Sequence, residues 1–537
     1  MKISRIGLGV TALATAGLLV LSGCASGDTD KPDASGNGVV TANGTEPQNP
    51  LIPTSTNEVG GGRIIDSLFA GLVYYDAKGE YHNEVAQSFE PNADFTEWNI
   101  ELNNDWKFSD GTPVTANSFV DAWSYGASLK NAQLNRYFFN MIEGYQEEAQ
   151  SDLTGLTVQD DTHFTVKLNS GDPEFPLRLG YSAYYPLPES AFDDMKAFGQ
   201  NPIGNGPYKL ASDDAWEHDV QIKLLPNENY DGGRKAANGG LTFVFYSGLD
   251  SAYADLLSGN LDVLDEIPEN SLEVYRDELG DRAVTQPAAR NQTFTIPERL
   301  DHFAGEEGTL RRAAISMAID RDKIGEVVFK GARSTMVDFT SPVIAGFNDN
   351  LKGKDVLEYN PTKAKELWAE ADKISPWSGT FTIGYNSDSN HQSWVDAVSN
   401  GIKDNLGINA EGKPYATFAE FRAAVTDRTT TGAARAGWQA DYPSQYNFLG
   451  PVFGTGAGSN DGDYSNPEFD KLIAEGSQQT DETKKYADFS AAQEILLEDL
   501  PVIPLWYQNA TGGFSESVDN VVFGWEMVPL YYQVTKK

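Results

Sequence analysis

The chain has 537 residues, of which 78 are acidic and 40 basic, giving a formal net charge of −38. Such a field repels nucleic acid and anionic lipid, while a content of 40% hydrophobic and 11% aromatic residues excludes a disordered polyanion. A chain of this length exceeds what one hydrophobic core supports, so two or three lobes are expected, and a single cysteine excludes internal disulfides and thiolate metal sites.

At the N-terminus, Lys2 and Arg5 precede an uncharged apolar stretch from Ile6 to Leu21. That is the pattern of a signal peptide, too short for the ~20 residues of a spanning helix. Small residues lead directly to a cysteine in Leu21-Ser22-Gly23-Cys24, which resembles the bacterial lipobox. The resemblance implies cleavage before Cys24 and a diacylglyceryl group on its sulfur. Two acyl chains give a stable membrane tether where one gives only a marginal one. Loss of the first 23 residues removes two bases and no acid, taking the charge to −40. Residues 24–50, rich in Ser, Gly, Asp, Asn and Thr, are read as a flexible linker.

Beyond the linker, strand-like and helix-like patterns alternate without an internal repeat. Trp98, Ile100 and Leu102 alternate with polar residues as in a half-buried strand, and Phe164, Val166 and Leu168 do the same. Between them, Ala116, Phe119, Val120 and Trp123 fall at helical spacing behind a Thr115 cap. The spacing recurs at Leu310, Ala313, Ala314, Met317 and Ala318. It recurs again at Ala364, Leu367, Trp368 and Ala371, where Asn360 caps and Pro361 suits the first turn. Aromatic and Met residues at these spacings read as core. Mixed helices and strands without strict alternation point to α/β lobes.

Metalloprotease, nucleophile-elbow and phosphate-loop signatures are absent, so nothing in the sequence demands an enzyme. The five histidines, His82, His163, His218, His302 and His391, are scattered, and no metal or cofactor is expected. The run Gly454 to Gly458 lacks the dinucleotide spacing and reads as a loop. Asp461, Asp463 and Ser465 lack the glycine and glutamate of a calcium loop and read as a solvated turn before a helix at Pro467.

Four segments carry a resemblance. They are Trp106 to Ala116 around Asp110-Gly111, Asn201-Pro202-Ile203-Gly204-Asn205-Gly206-Pro207-Tyr208, Arg311 to Ile324, and Asn360 to Ala364. In this order they resemble the bacterial extracellular solute-binding proteins of family 5, which serve peptide and nickel importers. Ala434-Arg435-Ala436-Gly437-Trp438-Gln439-Ala440-Asp441-Tyr442 resembles the oligopeptide-binding members in particular.

The resemblance implies an α/β fold, a periplasmic-binding-protein-like type II two-lobed clamp with an extra α/β domain (cluster C type). Residues 1–23 would be the lipoprotein signal peptide. Residues 51–69, 188–286 and 506–537 would form the first lobe, 70–187 an extra domain inserted in it, and 287–505 the second lobe, with crossovers near 286 and 506. It also implies an oligopeptide ligand, ABC permease and ATPase subunits as partners, a monomer, and a place on the extracellular face of the membrane.

Within the site, Asp441 would bind the peptide α-ammonium. Taken alone it reads first as a surface aspartate of an Asp-Tyr-Pro turn, and the surrounding resemblance reverses that. Trp438 lies in the same motif. Arg435, Arg428 and His391 would meet ligand carboxylates, as the bidentate guanidinium fork suits. Val59, in Asn57-Glu58-Val59, would pair through its backbone, and Tyr137 would contribute from the inserted domain. A same-fold oligosaccharide binder stays open, because 10 Trp and 24 Tyr supply stacking surface. An anchored surface hydrolase would need a nucleophile and base brought together by the fold.

Overall fold

A computed structural model describes residues 38–537 apart from residues 148 and 388. The expected signal peptide and Cys24 lie outside the described residues. Among those described, no helix is long and apolar enough to cross a membrane.

Two 13-residue strands, Ala283–Thr295 and Val502–Phe514, run antiparallel through the middle of a 12-stranded mixed sheet. Their pairing is interrupted. Residues 283–287 face 513–509 in regular register, the register shifts between Pro287 and Asn291, and 291–295 then face 507–502. The expected crossovers at 286 and 506 fall beside this shift. A proline cannot donate to the ladder, so Pro287 suits a position where regular pairing stops.

On one side of the shift, Val502–Phe514 continues through Val263–Leu264, Val39–Gly44, Gly240–Phe245 and Gln221–Pro226 to Tyr208–Leu210. On the other side, Ala283–Thr295 continues through Ala433–Gln439 and Thr380–Asn386 to Asn409–Tyr415. Each half has its own core. One core runs from Val40 to Val263 and gathers Val518, Tyr531 and Val534; the other lies within Phe294 to Trp506.

The segment after the first helix, Val59–Leu68, forms a separate four-stranded antiparallel sheet in the order Ala86–Pro91, Glu97–Leu102, His163–Lys167, Leu156–Val158. Trp98, Ile100 and Leu102 are buried as their alternation predicts. In the neighbouring strand Thr165 is buried along with Phe164 and Val166, and it bonds Asn99 Oδ1 at 3.0 Å. The helix Ala116–Ala127 packs Trp123 fully inside; its Nε1 donates to the Tyr184 carbonyl at 2.9 Å, and Phe119, Phe139, Phe164 and Tyr184 surround its ring. This sheet shares its core with the first lobe.

One boundary requires correction. The linker assigned to 24–50 overruns the fold, because Val39–Gly44 is a parallel strand against Gly240–Phe245 with Val40 and Ala42 fully buried. Its polar residues are satisfied internally: Thr41 N donates to Asp262 Oδ2 at 2.9 Å, and Asn43 Oδ1 accepts from Asp265 N at 3.0 Å. A strand covered on both faces need not alternate, so small and polar residues concealed it.

The helices at Gly305–Met317 and Pro361–Ile374 form where spacing predicts them, and Asn360 Oδ1 accepts from Lys363 N at 3.0 Å. The turn before Pro467–Gln478 leaves Asp463 and Ser465 exposed as expected, and within it Asp461 takes Arg422 through two bonds of 2.6 and 2.7 Å. Trp123→Ala is expected to cost about 3–5 kcal/mol, because the surrounding rings cannot collapse onto the void. Urea denaturation followed by circular dichroism measures it, and a loss below about 1 kcal/mol would contradict this packing.

Candidate ligand-binding cleft

The main cavity, about 700 Å³, lies where the two lobes and the inserted domain meet. That is the size of a small-ligand site. The first lobe contributes the N-terminal turn of Val59–Leu68 with Asp66, the inserted domain Tyr75, Tyr181 and Tyr185, the C-terminal loop Glu526 to Tyr532, and the second lobe Trp438 to Asp441. A small apolar cluster of Ala289, Ile344, Ala440, Phe448 and Trp525 joins the lobes at the hinge.

Asp441 ends the strand Ala433–Gln439. It is fixed by one residue: Asn447 Nδ2 donates to Asp441 Oδ2 at 3.0 Å, while Asn447 Oδ1 accepts from Asp441 N and Trp438 Nε1, each at 2.9 Å. Among the described residues no cation pairs with the carboxylate, whose other oxygen has no donor. Burial pushes its pKa up to about 6, against the Asn447 bond, which lowers it. An isolated carboxylate held in this way is arranged for an incoming positive group.

The strand carrying it has an open edge. Thr380–Asn386 pairs with it at Ala433 and Ala434, and among the described residues no strand occupies that side of the ladder from Ala436 to Gln439. Its other side is held by residues 290–295.

Val59 and Trp438 line the main cavity. Glu58, next to Val59, caps its helix by accepting from Gly61 N at 2.8 Å. A Cβ on Gly61 would collide with that same carboxylate, which accounts for a glycine there. Tyr137 is 48% exposed; its ring lies 4.4 Å from that of Phe138, and partial desolvation and then the Asp441 charge push its pKa up.

Arg435 and His391 line an adjoining cavity together with Arg290. Arg435 Nε donates to Asn386 Oδ1 at 2.7 Å, with its guanidinium over Phe418 and Phe421; His391 Nδ1 accepts from Trp394 Nε1 at 3.1 Å. Arg428 is not among the residues lining the main cavity. Its guanidinium is taken up by Asp463 at 2.8 Å.

Two cavity residues carried no sequence signal. Arg290 lies opposite Gln439 in the ladder, lines both cavities, and has no acceptor among the described residues; burial lowers its pKa and Glu266 opposes that. Glu526 comes from the C-terminal loop. Both lie in stretches without periodicity or motif.

The mouth is bridged beside Asp441. Glu174, from the inserted domain, takes Lys485 Nζ at 2.9 Å and Ser444 Oγ at 2.7 Å. Arg178, held by Asp172 at 2.6 Å, bonds the Tyr442 hydroxyl and covers the Tyr442 and Tyr446 rings at 4.7 and 5.0 Å. Elsewhere, Asp76, Glu80 and His82 bring possible metal-ligand atoms within 4.8 Å of one another on a hairpin, but Asp76 already accepts the Lys78 and Glu80 amides.

Residues 80–460 match the family described as bacterial extracellular solute-binding proteins, family 5 Middle. The chain is 26% identical to the oligopeptide-binding protein OppA of Bacillus subtilis over 94% of both chains. It is 29% identical to the periplasmic oligopeptide-binding protein OppA of Salmonella typhimurium over 87% of both. Among solved structures, the unliganded open form of the murein tripeptide-binding protein MppA superposes with a TM-score of 0.77 at 24% identity, covering 93% of this chain and 97% of the other. Haemophilus influenzae OppA in complex with the peptide RPPGFSPFR gives 0.77 at 22% identity over 93% and 99%. The fold is the type II two-lobed clamp.

Asp441 also sets a stability test. The folded chain keeps its proton up to about pH 6, whereas the unfolded chain ionises near 3.8, so this group's contribution is full at low pH and is lost as pH rises through that window. Two pKa units amount to about 3 kcal/mol. Asp441→Asn keeps the Asn447 bond and should stabilise the empty protein by up to that amount at pH 7, with no gain at pH 4. Unfolding curves at the two pH values measure this, and equal effects at both would contradict the carboxylate's burial.

Proposed function

The chain belongs to the bacterial extracellular solute-binding proteins of family 5, and from that premise we propose that it captures oligopeptides by closing its lobes around them and delivers them to the permease of an ABC importer. The observation carrying the reading is the uncompensated Asp441 carboxylate at the end of an open strand edge inside the cleft. An extended peptide adds to that edge from Ala436 to Gln439 through backbone hydrogen bonds, which every peptide offers whatever its sequence. Its α-ammonium meets Asp441, and the pair satisfies a charge that the protein leaves unpaired. The carboxylate end meets Arg290, with Arg435 and His391 further along the adjoining cavity. Val59 and Tyr137 border the amino end. Since buried bonds go to groups common to all peptides, selection is by peptide chemistry rather than by side-chain shape.

Cys24 is proposed as the lipid anchor, holding the clamp at the extracellular face of the membrane within reach of the permease, and the protein acts as a monomer. The support is the Leu21-Ser22-Gly23-Cys24 sequence behind an apolar segment.

Asp441→Ala is expected to weaken binding of a free-amino peptide by about 3–5 kcal/mol, the cost of removing one partner of a buried ion pair. That is at least about a hundredfold in Kd. N-acetylation of the peptide should produce a similar loss, and affinity for the free peptide should fall as pH drops below about 6, where Asp441 takes up a proton. Calorimetry measures all three; unchanged affinity after N-acetylation would favour a ligand without an ammonium, such as a sugar. For the anchor, Cys24→Ser should abolish labelling by radioactive palmitate in expressing cells and release the protein from membranes. Retained label would overturn the assignment.

A further inference from the structure

The cavity holds more negative charge than one peptide amino end can answer. Its guanidiniums are mostly engaged: Arg63 is ion-paired with Asp265, and Arg234 is held by Glu84 at 2.8 Å. Arg290 alone is left for a ligand carboxylate. On the acidic side, Asp441 answers the α-ammonium, yet two carboxylates remain. Asp66, on the helix Val59–Leu68, accepts the Tyr185 hydroxyl at 3.0 Å. Glu526 lies half-buried in the cavity wall, and no donor among the described residues reaches its carboxylate.

These two acids are neighbours. Burial raises the pKa of both, the Asp66 charge raises that of Glu526 further, and Arg63 pulls it partly back. They come from the helix Val59–Leu68 and the C-terminal loop, whereas Asp441 enters the cavity from beyond the strand Ala433–Gln439. Tyr75 and Tyr181 line the same cavity, and the charges of both Glu526 and Asp441 push their pKa values up after burial does. A ligand that touches Asp441 with its amino end therefore shares the cavity with tyrosine faces and a second acidic position.

Resting on the peptide reading above, we propose that Asp66 and Glu526 form a subsite for a cationic side chain, so that the preferred ligands are peptides carrying a lysine-, ornithine- or arginine-like group in addition to the α-ammonium. The methylene stem lies along Tyr75 and Tyr181, as such stems do on apolar and aromatic surfaces, and the charged head reaches the two carboxylates. Without a ligand, two like charges in one enclosed site do not both ionise, and the pair keeps a proton at neutral pH. An incoming cation replaces that proton. The groups that face the pair are Arg63 on the same helix, Tyr75 and Tyr181 across the cavity, Tyr185 bonded to Asp66, and Arg234 with Glu84 behind it. Each guanidinium has its own acid, so none substitutes for the ligand cation.

The test is calorimetry on the folded protein at pH 7, in two buffers of different ionisation enthalpy, with alanine tetrapeptides carrying lysine or norleucine at one position at a time. At one position lysine should bind at least about tenfold tighter than norleucine, a charge-assisted hydrogen bond's worth, and should release close to one additional proton. In Glu526→Gln the difference between the two peptides should shrink to within about twofold. Equal affinity at every position overturns the subsite while leaving the peptide reading intact, because the peptides still bind. A lysine advantage that persists in Glu526→Gln, or that comes without proton release, also overturns it. If that variant does not fold, Asp66→Asn and the proton count in the unaltered protein decide. Binding of no peptide in the set overturns the peptide reading, and the subsite with it.

Discussion

Two strands pass side by side from one core to the other, and the shift in their pairing between Pro287 and Asn291 is the constraint on which the binding geometry depends. Neither lobe can move without bending this ribbon. The ligand-facing strand Ala433–Gln439 hangs from residues 290–295, immediately beyond the shift, so the position of Asp441 is set by the second lobe's side of the hinge. Arg290 is the first residue of that pairing, and the Ala440 amide donates to the Ala289 carbonyl at 3.0 Å, tying the turn before Asp441 to the hinge itself. Cavity and hinge are one construction, which makes bending of the ribbon and shaping of the site a single event.

The same chain shows how charges are treated when they are structural and when they await a ligand. Arg321 is fully enclosed and gives its donors to the carbonyls of Pro504, Ser316 and Leu357 at 2.7 to 2.9 Å. Arg234 is held by Glu84, and Arg178 by Asp172. These groups follow the rule that buried charge is matched inside the protein. Asp441, Glu526 and Arg290 depart from it, and all three line one cavity. The −38 net charge did not point to this place, since most acids are spread over the surface. The departures from pairing do.

Much of the scaffold was legible because periodicity reports burial. The helix behind Thr115, the helix behind Asn360 and the strand carrying Trp98 all form where spacing sets them. Asp441 was legible only through resemblance, because an Asp-Tyr-Pro turn is common and the residue itself does not reveal what lies across from it. The strand Val39–Gly44 was not legible: it is buried on both faces, and its Thr and Asn bond acids more than 200 residues away. Arg290 and Glu526 were hidden for a related reason. Their significance is the absence of a partner in three dimensions, and a sequence records neighbours along the chain only.

The bridge across the mouth shows why an unpaired acid is useful beyond recognition. Glu174 with Lys485 and Ser444, and Arg178 with Tyr442, are contacts between protein groups, so they form whether or not a ligand is inside. Left unopposed, they would favour an empty closed clamp, which a transporter reading closure would mistake for a loaded one. With the mouth bridged, Asp441 is largely withdrawn from water, and no cation among the described residues repays that desolvation, as its raised pKa records. A ligand ammonium removes the penalty. Tyr442 directly follows Asp441, so the group proposed to meet the ligand and the group that bridges the mouth sit on the same short turn. A ligand shifts an equilibrium only by its differential affinity for the two states, and here that difference is largest at the one carboxylate that closure would otherwise strand.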